Sequence, residues 1–440
     1  MRIKFIITQI TILVFSVAIA QQKSLSISQA VDQALKANFD VIRSSNLKLT
    51  QEYGISSARW ALVPNINFSS SGSQTKKSES DAIDQFLKYP NPSNSFATSF
   101  STSVVLFDGM SNWENVTKAA NTFESSNFDH VRVQQLVVFE VQRRYLTLLR
   151  TKSLLQVNED NLKRSQQQLK RIEESVRIGA IAKADLYRQQ VTTANDELNL
   201  IKAKNTFDNS YADLLSYISL DVNEEYLIQD VDIENEIEDE LTKELLVESK
   251  NIVSFFSKAI ASRPDFQSNQ IAITNSSSDI AIARSTFWPT ISANASFSTS
   301  EDTLSNLGKK NNTIFGLNIS FPLFSGFKST VAVQQAELRL KTSEEQLLQT
   351  KRKIHVEVKK AVLDLESTQK QREVSQKNII ASTEDRRIAE ERYSLGAGSL
   401  LDLLIANANH TRSLSDKVNA DYDFLIAKHQ LVLSLGQQRY

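Results

Sequence analysis

The sequence predicts a mainly α-helical protein with four β-strands and an internal tandem duplication. The 440 residues contain only 10 Gly and 6 Pro, so few breakers interrupt the helices. Apolar residues recur every seven positions over a long stretch, and four short segments alternate between apolar and polar residues. Motifs of the first half reappear in the second half, which is the mark of a repeat.

Composition and motifs exclude several classes of function. Lys and Arg total 50 against 51 Asp and Glu, so charge gives no reason to expect a nucleic-acid partner. The absence of Cys removes disulfides, thiol catalysis and Cys-ligated metals, and none of the four His lies four residues from another. The sequence has no Gly-x-Ser-x-Gly, no phosphate-binding Gly-rich loop and no His-Glu-x-x-His. We therefore expect no enzyme activity, no metal and no cofactor.

The N-terminus has the pattern of a secretory signal peptide. Arg2 and Lys4 precede a mostly apolar stretch at 6–19, and Ala18-Ile19-Ala20 fits a cleavage site. The stretch is shorter than the ~20 residues of a transmembrane helix, so we expect removal of residues 1–20. Since no other long apolar run exists, we expect any membrane crossing to use strands.

Two copies of one pattern follow the signal peptide. Ala58-Arg59 and Pro64-x-Ile66 recur 225 residues later. Leu106-Phe107-Asp108-Gly109 and Ile178-Gly179-Ala180 are matched 217 residues later by Leu323-Phe324-Ser325-Gly326 and Leu395-Gly396-Ala397. We place the copies at 21–220 and 251–440, with a solvent loop at about 74–94 absorbing the change in offset. Residues 221–250 hold twelve acidic and two basic residues, which favours a solvated acidic linker, with a partner-binding segment as the alternative.

Each copy contains one very long helix. Apolar residues spaced by seven indicate a coiled-coil helix over 110–178, namely Val141, Leu148, Leu155, Leu162, Leu169 and Val176. Such a helix is ~100 Å long, more than a compact domain needs. Gly179 and Gly396 are expected to end the long helices as left-handed caps. Shorter helices are predicted near 39–60 and 185–217, the latter running back antiparallel.

Four segments alternate like strands of a membrane barrel, at 64–71, 96–107, 290–299 and 315–323. The predicted lipid-facing residues are Phe96, Phe100, Val104, Leu106, Phe315, Leu317, Ile319 and Phe321. Small or polar residues at the alternate positions would face a wet lumen, although a soluble sandwich strand shows the same pattern. Four strands cannot close a barrel and open edges are not tolerated in lipid, so we expect an oligomer. Three chains would give twelve strands.

The repeat, the long helices and the paired strands together resemble the TolC-type outer membrane efflux family over essentially the whole mature chain. The most specific stretch, Tyr393 to Leu403, is similar to the family's helix–turn–helix at the periplasmic tip. The resemblance implies a homotrimer in the cell outer membrane. Its twelve-stranded barrel would sit in outer-membrane lipid, and its antiparallel coiled-coil helices would form a tube in the periplasm.

The resemblance also implies partners and residue roles at the tip. A periplasmic adaptor (membrane fusion) protein would contact the tip turns, formed by Ile178, Gly179, Ala180, Leu395, Gly396, Ala397 and Gly398. It would couple the channel to an inner-membrane RND or ABC pump. Asp402 would form a carboxylate ring at the aperture, with Asp185 as its counterpart in the other copy, and Tyr393 would help keep the aperture closed. Ile405 and Gly398 depart from the family pattern, which argues against a second acidic ring and a Tyr–Arg lock.

The predicted function is a passive outer-membrane export channel, gated at its tip, of a tripartite efflux pump or type I secretion system. The alternative is a periplasmic or surface coiled-coil scaffold or adhesin without a channel. A scaffold accounts for the helices and the signal peptide but not for the alternating strands.

Overall fold

The structure is a computed structural model that describes residues 23–76, 86, 93–249 and 251–438. The predicted signal peptide lies outside the described residues, as does most of the predicted loop at about 74–94. The chain divides into two compact units. The first unit comprises residues up to 34, 141–239 and 372–425. The second unit comprises 35–140, 240–371 and the residues from 426 onward.

Long helices make up most of the described chain. The helices are α1 (Ile27–Ala37), α2 (Phe39–Trp60), α3 (Ser111–Arg177), α4 (Lys183–Tyr217), α5 (Ile233–Glu238), α6 (Glu240–Glu248), α7 (Ile252–Ser262), α8 (Pro264–Ser285), α9 (Lys328–Ser394) and α10 (Leu400–Ser434). The strands are β1 (Lys23–Leu25), β2 (Asn65–Thr75), β3 (Ser93–Phe107), β4 (Tyr226–Ile228), β5 (Thr290–Glu301) and β6 (Asn311–Ser320). None of the helices in the described ranges is both long enough and apolar enough to cross a membrane.

Corresponding helices of the two predicted copies have equal lengths. Helices α3 and α9 each have 67 residues, α4 and α10 each have 35, and α2 and α8 each have 22. The predicted helix over 110–178 is confirmed to within one residue at either end. Three equal pairs in the same order support the tandem duplication.

Three of the six predicted heptad residues of α3 form part of the core of the first unit, and the other three are half-buried. Val141 and Leu148 are fully buried, and Leu162 is nearly so. Burying a Leu side chain contributes ~1.5–3 kcal/mol, so this seam holds α3 in place. Two side-chain hydrogen bonds join α3 to α4, one between Asn161 and Asp196 and one between Ser165 and Thr193. Residue numbers rise on α3 as they fall on α4, which confirms the predicted antiparallel pairing.

The acidic segment, predicted as a solvated acidic linker, contains regular secondary structure. Residues 221–248 contain β4, which pairs in parallel with β1, and the helices α5 and α6. Ile237 and Leu245 are buried because each helix has an apolar face. The acidic side chains are exposed except for Glu248, which is partly buried and pairs with Lys258 at 2.6 Å. The charge run is thus a solvated surface, as predicted, on ordered elements.

Within the first unit, a buried tyrosine ties the small parallel sheet to α3. The Tyr145 side chain is fully buried, and its hydroxyl lies 2.9 Å from the Leu25 carbonyl oxygen and 2.7 Å from that of Gln229. Burial, together with the charge of Asp230, raises the pKa of Tyr145 to about 12. The hydroxyl therefore keeps its proton and remains a donor to the sheet.

The four long strands of the second unit form one antiparallel sheet in the order β2-β3-β5-β6. All four predicted strands are present, with shifted ends. The prediction for the last strand is wrong at its C-terminal end, because β6 stops at Ser320. Pro322 has no N–H to donate to a ladder, so Phe321 and Leu323 lie beyond the strand.

Candidate functional site

The four-stranded sheet has one apolar face. The register places Ile66, Thr102, Ala295 and Phe315 side by side in one row across the four strands. The next row on the same face contains Phe68, Phe100, Phe297 and Thr313, with the rings of Phe68 and Phe100 4.9 Å apart. Many of these side chains are exposed in the isolated chain, Phe315 to 81%. An apolar patch of this kind marks a surface that another apolar medium covers.

Most of the predicted lipid-facing residues lie on this apolar face. They are Phe96, Phe100, Val104, Phe315, Leu317 and Ile319. Leu106 does not continue the alternation, because the register shifts between Val105 and Phe107 and leaves it without a partner. Phe107 instead pairs with Ile291. Phe321 follows the end of β6 and is not a strand residue.

Sequence reasoning missed the apolar residues that β2 and β5 contribute to this face. Ile66 is 81% exposed, and Phe68 and Phe297 are also exposed. Serines and small residues separate these side chains, which weakens the alternation in β2 and β5. Pairing with the strongly alternating β3 would have identified them, because directly paired residues share a face.

The opposite face of the sheet is lined by Ser and Asn. The hydroxyls of Ser69 and Ser99 share a hydrogen bond of 2.7 Å across β2 and β3. The hydroxyl and amide of Ser103 both donate to the Asn65 side-chain oxygen at 3.0 Å. A polar face opposite an apolar one is the pattern of a barrel strand between lipid and water.

Strands β2 and β6 form the two outer edges of the sheet. Among the described residues, no further strand pairs with either edge. The edges are similar in length, with 11 residues in β2 and 10 in β6. Each edge leaves a row of backbone donors and acceptors that another chain can pair with.

Exposed aromatic residues mark the junctions between the sheet and its helices. The three Trp residues of the sequence, Trp60, Trp113 and Trp288, are exposed and lie within six residues of a strand end. After β6, the exposed rings of Phe324 and Phe327 meet edge to face at 5.6 Å. Such aromatic rings concentrate where a membrane meets water. Sequence reasoning missed this aromatic belt, formed by the three Trp residues with Phe324 and Phe327. Its signal is the position of every Trp beside a predicted strand.

The two predicted tip turns, both in the first unit, have the same backbone geometry. Gly179 and Gly396 have φ values of 77° and 70°, which confirms the predicted left-handed caps. The Ala180 amide donates to the Ser175 carbonyl at 2.8 Å, and the Ala397 amide makes the equivalent bond at 2.8 Å. This is the Schellman arrangement, which satisfies the last carbonyls of a helix and stops it sharply.

Each tip turn presents an apolar side chain to solvent. Ile178 is 73% exposed and Leu395 is 83% exposed, each immediately before the capping glycine. Gly398 packs tightly in the second turn, since a Cβ atom there would lie 3.1 Å from the Arg392 Cβ. Both turns therefore present an exposed apolar side chain beside a capped helix end.

Ser399 caps the start of α10, and Asp402 is its partner in the cap. The Asp402 Oδ2 accepts hydrogen bonds from the Ser399 hydroxyl at 2.8 Å and from the Ser399 amide at 3.2 Å. The Asp402 amide donates back to the Ser399 hydroxyl at 3.1 Å, forming a capping box. The side-chain and backbone hydrogen bonds from Ser399 and the charge of Arg392 lower the pKa of Asp402. The Ser-x-x-Asp spacing was the signal for this cap.

The first copy lacks an equivalent cap. Ala182 occupies the cap position of α4 and makes no side-chain hydrogen bond to the helix. Asp185 accepts a hydrogen bond from Arg188 at 3.0 Å. Asp185 and Asp402 therefore correspond in sequence but differ in their contacts.

The structure brings Tyr393 of the second copy near Asp185 of the first. Tyr393 is half-buried, and this burial, together with the charge of Asp185, raises the pKa of its phenol. Arg392 lies close enough to act electrostatically on Asp402, a neighbour that sequence reasoning missed. Over the ranges the structure describes, no group of three His, Asp or Glu side chains could hold a metal ion.

Comparison with known proteins identifies the family. The family model of the outer membrane efflux protein matches residues 30–219 and 255–437, with the acidic segment between the two matches. The outer membrane protein TolC of Vibrio cholerae is 20% identical over 392 residues, which cover 87% of this chain and 84% of that protein.

Solved structures of outer membrane channels share the fold. The CmeC channel of Campylobacter jejuni matches with a TM-score of 0.78 and 18% identity, over 94% of this chain and 86% of that one. The open state of the MtrE channel of Neisseria gonorrhoeae matches with a TM-score of 0.73 and 18% identity, over 94% and 90%. The chain belongs to the outer membrane efflux protein family, and it is an efflux channel of the cell outer membrane with its helices in the periplasm.

Proposed function

We propose that three copies of this chain close a twelve-stranded barrel and that cargo passes through it without chemical change. The observation that carries this proposal is the sheet with one apolar face, one polar face and two unpaired edges. Open edges are not tolerated in lipid, so the edges must pair with other copies. The apolar face then contacts lipid and the polar face lines the lumen.

Strand directions are compatible with such closure. Neighbouring strands in β2-β3-β5-β6 are antiparallel, so β2 and β6 run in opposite directions. Placing β6 of one copy beside β2 of the next continues the antiparallel alternation across the seam. Such a contact joins two different surfaces, and contacts of this type generate closed rings. Edge strands of 10 and 11 residues also match the 9–11 that a tilted membrane strand needs.

The aromatic belt supports the same placement in the membrane. Trp60, Trp113 and Trp288 follow or precede strands at the ends that join helices. In a membrane barrel, aromatic girdles lie at the two interfaces. The belt would therefore mark the periplasmic interface of the barrel.

The tip residues support a gated conduit coupled to partners. Exposed Ile178 and Leu395 on the tip turns would contact the periplasmic adaptor, which connects to an inner-membrane RND or ABC pump. Asp402 would supply a ring of three carboxylates at the aperture, and Tyr393 beside Asp185 would help hold the closed form. The solved MtrE structure is of an open state, so a relative of this fold opens. A docked adaptor that prefers the open form would bias such a two-state tip.

Two variants of β6 test the barrel. Phe315 and Asn318 lie on opposite faces of the same strand, so Phe315→Lys and Asn318→Lys add the same charge to different surroundings. A Lys near the middle of the lipid face costs ~2–4 kcal/mol in each copy, whereas a Lys in the lumen is solvated. Phe315→Lys should therefore reduce the trimer recovered from outer-membrane fractions, measured on unheated detergent gels.

The matched control makes the outcome specific. Asn318→Lys should give trimer amounts close to those of the unmodified protein. Equal trimer yields for the two variants would contradict a lipid-facing sheet and favour the water-soluble scaffold.

A further inference from the structure

The polar face of the sheet has no charged residue on any described strand. Of the positions that the register places on this face, all but Ala97, Val105, Ile314 and Gly316 are Ser, Thr or Asn. The apolar face is not uniform in this way, since it carries Glu301 where β5 ends. The neutrality of the polar face is therefore a property of that face and not of the sheet as a whole.

Charged residues near the sheet lie at or beyond the strand ends. Lys309 and Lys310 are exposed in the turn between β5 and β6, and Lys310 lies 3.9 Å from Glu301. At the other end, Asp108 follows β3 and its carboxylate accepts a hydrogen bond from the amide of Asn112. None of these residues occupies a strand position that the register places on the polar face.

The polar side chains also satisfy one another. The Ser69–Ser99 bond of 2.7 Å and the Ser103–Asn65 bonds of 3.0 Å run sideways between strands. Short side chains held in this way offer a passing solute weak, exchangeable hydrogen bonds. A conduit needs this property, because cargo that binds strongly does not leave.

We propose that the membrane part of the duct does not sort cargo by charge, and that hydrated anions and cations meet the same neutral hydroxyl-and-amide wall. This inference rests on the proposed trimeric barrel. Fixed charges on a pore wall act strongly because the low-dielectric surroundings focus their field. A wall without them leaves the local concentrations of anionic and cationic solutes nearly equal. Any charge selection is then exerted outside the barrel.

The absence of Cys in the sequence permits a direct test. Ser296→Cys places a thiol on the polar face, and Ala295→Cys places one on the apolar face of the same strand. Each variant is reconstituted in lipid vesicles and treated with methanethiosulfonate reagents bearing a sulfonate or a trimethylammonium group. The rate constant of each reagent is divided by its rate constant with free 2-mercaptoethanol. The ratio of the normalised value for the cationic reagent to that for the anionic reagent then reports the local electrostatic potential.

The expected result has two parts. Ser296→Cys should react while Ala295→Cys does not, because charged reagents do not enter hydrocarbon. The normalised cation-to-anion ratio at Ser296→Cys should lie within about twofold of one. Adding Asn294→Asp in the Ser296→Cys background places three carboxylates beside the thiols. This change should raise the ratio about tenfold, which shows that the assay detects wall charge.

Two results would overturn the inference in different ways. A ratio biased about tenfold in Ser296→Cys alone would refute the neutral wall and leave the barrel intact. Reaction at Ala295→Cys as fast as at Ser296→Cys, or none at Ser296→Cys, would refute the lumen-facing orientation and with it the barrel.

Discussion

Arg263, at the junction of α7 and α8, is a test of how buried charge holds the second unit together. Its side chain is 1% exposed and binds both carboxylate oxygens of Asp265 at 3.0 and 2.6 Å. It also donates to Glu357 of α9 at 2.6 Å and to the Ser434 carbonyl at the end of α10 at 3.4 Å. One guanidinium therefore joins three helical segments, and Arg263→Met is the perturbation that removes it.

The magnitude follows from what the substitution leaves behind. Removing one partner of a buried ion pair costs ~3–5 kcal/mol, because the other partner is left uncompensated. The Asp265 and Glu357 side chains are 28% and 35% exposed, so water recovers part of that loss. We expect a decrease of ~3 kcal/mol in the free energy of unfolding for Arg263→Met.

A matched control lies at the other end of α8. Arg284 pairs with Glu337 at 3.4 Å, but the two side chains are 63% and 48% exposed. Exposed pairs contribute at most ~1 kcal/mol, so Arg284→Met should change stability little. The assay is guanidinium unfolding in detergent, followed by helical circular dichroism at a fixed protein concentration.

Two further measurements distinguish uncompensated charge from lost packing. Adding Asp265→Asn and Glu357→Gln to Arg263→Met should recover part of the lost stability, since the two side chains that lose Arg263 then carry no charge. Burial opposes ionisation of Asp265, but its hydrogen bond to Arg263 and the nearby charges of Arg263 and Arg132 hold its pKa below the ordinary 3.8. The contribution of Asp265 to the free energy of unfolding is present above the unfolded pKa and is lost as pH falls through the lower folded value.

Equal denaturation midpoints for Arg263→Met and Arg284→Met would refute the reasoning.

The remaining predictions concern the tip. Gly396→Val should impair export of a reporter drug while membrane trimers persist, because a β-branched residue is strained at a φ of 70°. The control Gly54→Ala lies inside α2, where an added Cβ has almost no close neighbour, and it should leave export normal. Normal export in Gly396→Val would argue against a critical turn. Asp402→Asn should weaken block by multivalent cations in single-channel recordings, whereas unchanged block would refute the ring. Since hydrogen bonds from Ser399 lower the pKa of Asp402, protons should relieve the block only below the ordinary value of 3.8.

The helices were predictable because their signals are local. The scarcity of breakers and a Gly at each end locate α3 and α9 without knowledge of any partner, and spacing by seven adds a further signal in α3. The end of β6 was misplaced although its signal was also local, since Pro322 was counted within an alternating run. The bulge at Leu106 has no such signal, because it depends on how β3 aligns with β5.

Contacts between distant parts of the sequence could not be predicted. Arg263 and Asp265 are close in the sequence, but Glu357 is 94 residues from Arg263 and joins them only through the packing of α8 and α9. Likewise, nothing in the local sequence indicates that the charge of Asp185 acts on Tyr393. The structured acidic segment was missed because its buried residues are few, and its many exposed carboxylates dominate the pattern.

The two roles considered for Asp402 support each other physically. The hydrogen bonds from Ser399 both end on Oδ2, so the cap fixes the side chain without removing its charge. The same bonds lower its pKa, which keeps the carboxylate ionised across physiological pH. A carboxylate that is ordered, ionised and exposed is what a charged ring in a pore requires. Asp402→Asn retains an acceptor for Ser399 and removes only the charge, whereas Asp402→Ala also removes the acceptor that Asp402 contributes to the capping box, and a lost hydrogen bond costs ~0.5–1.5 kcal/mol. Loss of cation block in both variants, with destabilised helix ends in Asp402→Ala alone, is the pattern that two roles for one side chain predict.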